Sequence, residues 1–318
     1  MKSVFVAIRD FQNRFPQAVN FFAEHQIAVI ARDAIASLSQ EERRFLLTPT
    51  EALFVAAEPC SAEFLSTLPN VKIVSRMGSG MDNIDLNYCR SSGIAVTNSK
   101  GCNANSVAEM TLLLILASLR GLRKMVVVAQ TGEWSKRYPG DELSRKIVGL
   151  VGFGMIAQKL ALLLKPFDVQ IIACDPLLNQ DVAAFLNVVP VSFDELITRA
   201  DVVSVHIPSL PENVGLFNKR TFNAMKDHAV FVNCSRGALV IEEDLYHALQ
   251  NGKLSSAASD VWCDEPTQPH HPLFELPNFI GTPHIAGMTV QSSVSDSLTV
   301  AKSIVAFFEG KEIPYRVV

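Results

Sequence analysis

The feature that most narrows the fold of this 318-residue chain is an alternation of short apolar runs with helical patterns. The first series of runs is Val4–Ile8, Leu53–Ala56, Ile73–Ser75 and Ile94–Thr97, with helical stretches such as Ala62–Leu68 between them. The second is Ile147–Val151, Val169–Cys174, Val202–Val205, Ala229–Val232, Ala257–Val261 and Phe279–Gly281. Strands separated by helices pair in parallel, because the helix supplies the crossover that a parallel neighbour requires. Each series is long enough for its own sheet, and a chain of this length favours two cores over one. The expected class is α/β, with two doubly wound parallel-sheet domains.

Between the series, Ser106–Gln130 is apolar at helical spacing and opens on Ser106-x-x-Glu109, the pattern of a capping box. It predicts one long helix leaving the first sheet. Thr131–Lys146 is polar, holds Gly132, Pro139 and Gly140, and reads as an exposed loop. Thr289–Phe308 is a last helical pattern that returns the chain to the first domain. The expected organisation is a discontinuous domain over 1–99 and 286–318, with a second domain over 100–285 inserted in it. The crevice between them is the expected place for chemistry.

Composition excludes several function classes. Hydrophobic residues make up 48% and charged residues 19%, as in ordinary globular enzymes and unlike disordered chains. A formal net charge of −4 gives no electrostatic reason to bind nucleic acid or an anionic membrane. The longest apolar stretch, Leu112–Leu119, is too short to span a bilayer. The N-terminal run Val4–Ile8 meets Arg9 and Asp10 at once, too short for a signal-peptide core. Cys60, Cys89, Cys102, Cys174, Cys234 and Cys263 are scattered without a Cys-x-x-Cys pair, which predicts reduced thiols, a cytoplasmic location and no metal site.

The strand Ile147–Val151 runs into Gly152-Phe153-Gly154-Met155-Ile156-Ala157, a Gly-x-Gly-x-x-Ala turn. Gly152 permits the tight turn, Gly154 lets the backbone approach a pyrophosphate, and Ala157 allows close packing of helix on strand. The helix opening near Met155 directs N–H groups and its positive dipole end at phosphates. Asp175 stands at the end of the next strand, where an acid accepts hydrogen bonds from the adenine ribose and repels a 2′-phosphate. The expected cofactor is NAD.

Three further residues close strand runs of the second series. They are Arg236 in Asn233-Cys234-Ser235-Arg236-Gly237, Glu265 before Pro266, and His284 in Thr282-Pro283-His284. In open α/β sheets the carboxyl ends of strands face the ligand crevice. Reduction of a 2-keto acid leaves an alkoxide that needs a proton, which suits a histidine with a reference pKa of ~6.5. A neighbouring carboxylate orients the ring and stabilises the imidazolium. An arginine offers a fork to the substrate carboxylate and polarises the carbonyl. His284 is therefore the expected acid/base, Glu265 its orienter and Arg236 the anchor.

With these residues in place, the chain resembles the D-isomer-specific 2-hydroxyacid dehydrogenases, relatives of phosphoglycerate dehydrogenase, over nearly its full length. The matching stretches are Arg76–Asp85, Asn103–Glu109, the Gly152 turn, Asn233–Gly237, Ala258–Val261 through Glu265-Pro266, and Thr282–Gly287. The resemblance implies a Rossmann NAD-binding domain inserted in a flavodoxin-like substrate domain, and catalytic roles for Arg236, Glu265 and His284. It implies that Gly78, Ser79 and Gly80 present N–H groups to the substrate carboxylate, beside Arg236 and His284. Asp260 is implied to face the nicotinamide carboxamide, and Ile207 and Pro208 the adenine side. Val107, Phe153, Ile156, Cys234, Ser235, Ala286 and Gly287 are implied as further cofactor contacts. A homodimer built mainly through the nucleotide domain is also implied.

Two departures bear on substrate and cofactor. Family members often carry a basic residue where Met155 stands, so one side-chain contact to the pyrophosphate is missing. Phosphoglycerate dehydrogenases place an arginine where Ala56 aligns, and losing a charge-assisted phosphate contact costs roughly 1.5–3 kcal/mol. The expectation is an NAD-dependent enzyme acting on a small 2-keto acid such as glyoxylate, hydroxypyruvate or pyruvate. Phosphoglycerate dehydrogenase is the first rival. A formate dehydrogenase of the same fold carries glutamine where Glu265 sits. A dinucleotide-sensing corepressor keeps the same three residues and is the rival from outside enzymology.

Overall fold

The computed structural model describes residues 2–35 and 38–318. Two compact units divide the chain, one of Met1–Asn103 with Met288–Val318, the other of Ala104–Gly287.

The first unit is a five-stranded sheet of β1 (Ser3–Ala7), β2 (Ala28–Arg32), β3 (Ala52–Val55), β4 (Ile73–Arg76) and β5 (Ala95–Thr97). Its order is β2-β1-β3-β4-β5 and every pair is parallel, the flavodoxin-like arrangement. Both faces are covered, which is why the strands read as continuous apolar runs. Val4, Val6 and Phe54 face a core shared with Val300 and Ile304 of the helix Val290–Phe308, while Phe5, Leu53 and Val55 face the other. That helix is capped by Thr289, whose side chain accepts from Ser292 N. After it the chain returns to β5, where Val317 N donates to Val96 O at 2.7 Å.

The second unit is a seven-stranded sheet of β6 (Ile147–Val151), β7 (Gln170–Cys174), β8 (Val188–Pro190), β9 (Val202–Val205), β10 (Ala229–Asn233), β11 (Leu254–Ser259) and β12 (Phe279–Gly281). The order β12-β11-β10-β9-β6-β7-β8 is all parallel and reverses direction between β6 and β9. This is the Rossmann arrangement, and the reversal marks the switch point where ligands bind.

Two local expectations fail. The pattern over 106–130 is not one helix but two, Ala104–Leu119 and Leu122–Thr131, broken at Gly121 with φ 55°. Ser106-x-x-Glu109 is not a capping box, because the helix already starts at Ala104 and Ser106 is buried in its first turn. β2 and β8 extend the two sheets beyond the expected strands. The segment 131–146 is exposed for most of its length, but Leu143 is buried in the core of the second unit. Among the described residues no helix is long and apolar enough to cross a membrane.

Asp201 fixes the start of β6 against β9. It accepts from Ile147 N at 2.8 Å and pairs with Lys226 at 2.8 Å. Burial pushes its carboxyl up, but the Ile147 N–H, Lys226 and Lys146 outweigh that and hold it below its ordinary 3.8. A depressed folded value contributes stability that is present above the unfolded value and lost as pH falls through the folded one. Asp201→Asn should therefore lower the urea midpoint at neutral pH and flatten its decline below about pH 4. Denaturation curves recorded across that range check this.

Candidate active site

At the end of β6 the chain turns through Gly152, which has φ +93°; a Cβ there would lie 2.7 Å from His206 O. Both facts require glycine. Gly154 precedes the helix Met155–Leu164 and has no side-chain cap to offer its first N–H groups. A Cβ on Gly154 would meet nothing within 4 Å, so the turn is open on that side. Asp175, one residue past β7, accepts from Phe153 N at 2.8 Å through one oxygen and from Leu177 N at 2.7 Å through the other. It ties the glycine turn to the second strand, and each oxygen keeps a lone pair for a further donor.

The open cradle, the uncapped helix start and the placed carboxylate fit a dinucleotide. Met155 is exposed and Ile156 half-buried at the same turn. Ser235 Oγ donates to Ile207 O at 2.5 Å, joining the turn after β10 to the segment that holds Pro208. Phe153 and Val107 have their side chains in the hydrophobic core. Cys234 is buried too, and burial pushes its thiol up to about 12, so it stays protonated.

The turns after β10, β11 and β12 converge. Asn233 staples the first: its Oδ1 accepts from Ser235 N at 3.0 Å and its Nδ2 donates to Arg236 O at 2.9 Å. Arg236 is half-buried, with an Nη1 bond to Ser235 O at 2.7 Å. A Cβ on Gly237 would sit 1.9 Å from the Trp262 carbonyl carbon, so only glycine lets the loop after β11 pass there. That loop carries Glu265, whose Oε1 accepts from Trp262 N at 3.0 Å and whose Oε2 lies 2.6 Å from His284 Nδ1.

His284 is held from behind by Asp260. The Asp260 carbonyl accepts from His284 N at 2.8 Å. Its carboxylate accepts from Thr282 Oγ1 at 2.5 Å, Ile285 N at 2.9 Å and Ala286 N at 2.7 Å. Trp262 Nε1 donates to Thr282 O at 3.0 Å, closing the support. His284 adopts φ 53°, a left-handed conformation costly for a residue with a Cβ. With Nδ1 on Glu265, Nε2 is the nitrogen directed to exchange a proton elsewhere.

In the first unit, Gly78 (φ +113°) opens a loop after β4. Its N–H donates to Ser99 Oγ at 2.7 Å, and Asn98 Nδ2 donates to Ser79 O at 3.0 Å. The N–H groups of Ser79 and Gly80 have no hydrogen-bond partner among the described residues. Such groups in a positive-φ turn suit an anion. Asn98, Ser99 and Trp262 escaped the sequence reading; their neighbourhood to glycine-rich and strand-end turns was the available signal.

Residues 112–286 match the family described as D-isomer specific 2-hydroxyacid dehydrogenase, NAD binding domain. The chain belongs to that family. A D-3-phosphoglycerate dehydrogenase of Archaeoglobus fulgidus is 34% identical over 302 residues, covering 94% of this chain and 56% of its own. A glyoxylate reductase of Thermofilum pendens is 34% identical over 283 residues, covering 87% of this chain and 84% of its own. The structure of a D-lactate dehydrogenase of Aquifex aeolicus, solved with NAD and lactic acid, superimposes with a TM-score of 0.85 at 27% identity. It covers 97% of this chain and 96% of its own. The chain spans a little over half the length of the phosphoglycerate dehydrogenase it matches.

Since Gly237 separates two backbones that nearly touch, Gly237→Ala should destabilise the second unit by roughly 3 kcal/mol or more. Urea unfolding measures the loss, and an unchanged midpoint would contradict this packing.

Proposed function

We propose that the chain is an NAD-dependent D-2-hydroxyacid dehydrogenase that interconverts a small 2-keto acid, of the glyoxylate, hydroxypyruvate or pyruvate class, with its 2-hydroxy acid. The observation that carries this reading is the 2.6 Å pair of His284 and Glu265 in the turns beyond a Rossmann sheet.

The dinucleotide is held by Gly152, Gly154 and the N–H groups opening the helix at Met155, with Asp175 on the adenine ribose. Ile207, Pro208, Ser235, Ala286 and Gly287 complete its surroundings, and Asp260 lies beneath the turn that faces the nicotinamide. Hydride transfer is the chemistry supplied when NAD is bound there. Asp175 favours NAD over NADP by repelling a 2′-phosphate.

His284 gives a proton through Nε2 to the oxygen formed on reduction, and takes it back in the reverse direction. Glu265 holds Nδ1 in the donor tautomer and stabilises the imidazolium. Arg236 binds the substrate carboxylate and polarises its carbonyl. In the first unit, the Ser79 and Gly80 N–H groups are donors suited to a carboxylate. The two relatives named above, a phosphoglycerate dehydrogenase and a glyoxylate reductase, are both 34% identical to this chain, so identity does not choose between them. Ala56 places no cation beside β3, which favours an unphosphorylated substrate.

The same reading includes a cytoplasmic homodimer. Supporting it, Leu113, Leu122, Val126, Val127 and Trp134 of the nucleotide domain are large, apolar and exposed, as expected of a surface that is covered by a partner. Val126→Glu should shift sedimentation toward the monomer; an unaltered coefficient would place the contact elsewhere.

Consumption of NADH with a panel of 2-keto acids tests the activity. His284→Ala should lower kcat by roughly 10³-fold while NADH binding, followed by fluorescence, is kept. Glu265→Gln should reduce kcat less, because the imidazole loses a charged partner at Nδ1 but keeps a hydrogen-bond acceptor there. Turnover that survives loss of the imidazole defeats the assignment.

A further inference from the structure

The buried stripe of the helix Val290–Phe308 carries one acid, Asp296, among serines and small apolar residues. Asp296 is 5% exposed, and its Oδ1 has no hydrogen-bond partner among the described residues. Burial raises its pKa above the ordinary 3.8, against the pull of the Ser99 hydroxyl, the Arg76 guanidinium and the Cys102 thiol. An acid in that stripe is costly to bury, so its neighbours explain more than the helix does.

Both principal neighbours touch the loop after β4. Arg76 ends β4 and donates through Nε to Asn83 Oδ1 at 2.9 Å. Its Nη1 lies 2.7 Å from the point that a Cβ on Gly78 would occupy, so the guanidinium covers the first residue of the loop. Ser99 accepts the Gly78 N–H at 2.7 Å. One buried acid thus faces both the cation beside the loop and the hydroxyl that holds it.

We propose that Asp296 is a specificity-determining residue: its carboxylate balances Arg76 beside Gly78-Ser79-Gly80, so that the loop takes a 2-keto acid bearing only its carboxylate charge and rejects one that adds a phosphate. The inference rests on the dehydrogenase reading above. A poorly solvated negative charge acts at longer range than a surface one, and selectivity often depends on such a repulsive element. It separates two substrate classes that sequence identity leaves equal.

The test compares kcat/KM for 3-phosphohydroxypyruvate and hydroxypyruvate in the full chain with NADH. The wild type should prefer hydroxypyruvate. Asp296→Asn and Asp296→Ser should each raise the phosphorylated-to-unphosphorylated ratio by about tenfold or more, through KM for the phosphorylated substrate. Asp296→Glu, which keeps the charge, should stay near the wild-type ratio. Adding Arg76→Gln to Asp296→Asn should remove the gain. Arg76→Gln alone should lower the ratio, an arm that does not require a neutral residue at 296 to fold. A wild type that prefers the phosphorylated substrate, ratios unchanged by neutralising Asp296, or a gain that survives loss of Arg76 would each overturn the inference. A wild type that oxidises NADH with neither substrate would instead defeat the dehydrogenase reading.

Discussion

The candidate chemistry rests on the Asp260 carboxylate. It has no exposure to solvent, and a charge so placed is tolerated only when donors surround it. Thr282, Ile285 and Ala286 provide those donors, and the Asp260 N–H reaches back to Asn233 O at 2.9 Å. One residue, through its side chain and its own N–H, therefore locks the ends of β10, β11 and β12 into a common frame. The imidazole of His284 and the carboxylate of Glu265 inherit their geometry from that frame. Replacing the acid would leave three donors without a partner and release the turn that carries the histidine.

Much of the fold was legible because the sheets are covered on both faces. Strands such as Ala52–Val55 and Val202–Val205 are buried throughout, so they appear in the sequence as apolar runs, the second interrupted only by the buried Ser204. The two overlooked strands are edge strands. Ala28–Arg32 is only half-buried along its length, and Val188–Pro190 ends in a proline, which an edge tolerates and a central strand does not. The break at Gly121 was hidden for another reason. Apolar spacing continues straight through it, whereas its cause is tertiary. A Cβ on Gly140 would come within 2.8 Å of Arg120 Cα, so the later segment folds back on the backbone at the break.

The candidate site was legible where function demands a residue type at a strand end. Arg236, Glu265 and His284 each follow a strand, and their side chains are the kinds that proton transfer and anion binding require. Supporting residues were harder to read. Trp262 acts through its N–H groups, and, in the first unit, Asn98 and Ser99 hold the loop after β4. Asp296 sits in a helical stripe where periodicity alone asks for an apolar side chain. Phe153 illustrates the converse: its ring belongs to the core, and only its N–H serves the glycine turn.

The left-handed backbone at His284 carries an evolutionary implication. Glycine occupies that region of conformational space at lower energy than histidine does. At this one position, then, random drift toward a sturdier protein leads away from the imidazole. On the proposed acid/base role, a lineage that retains histidine there is one in which selection for proton transfer outweighs that drift.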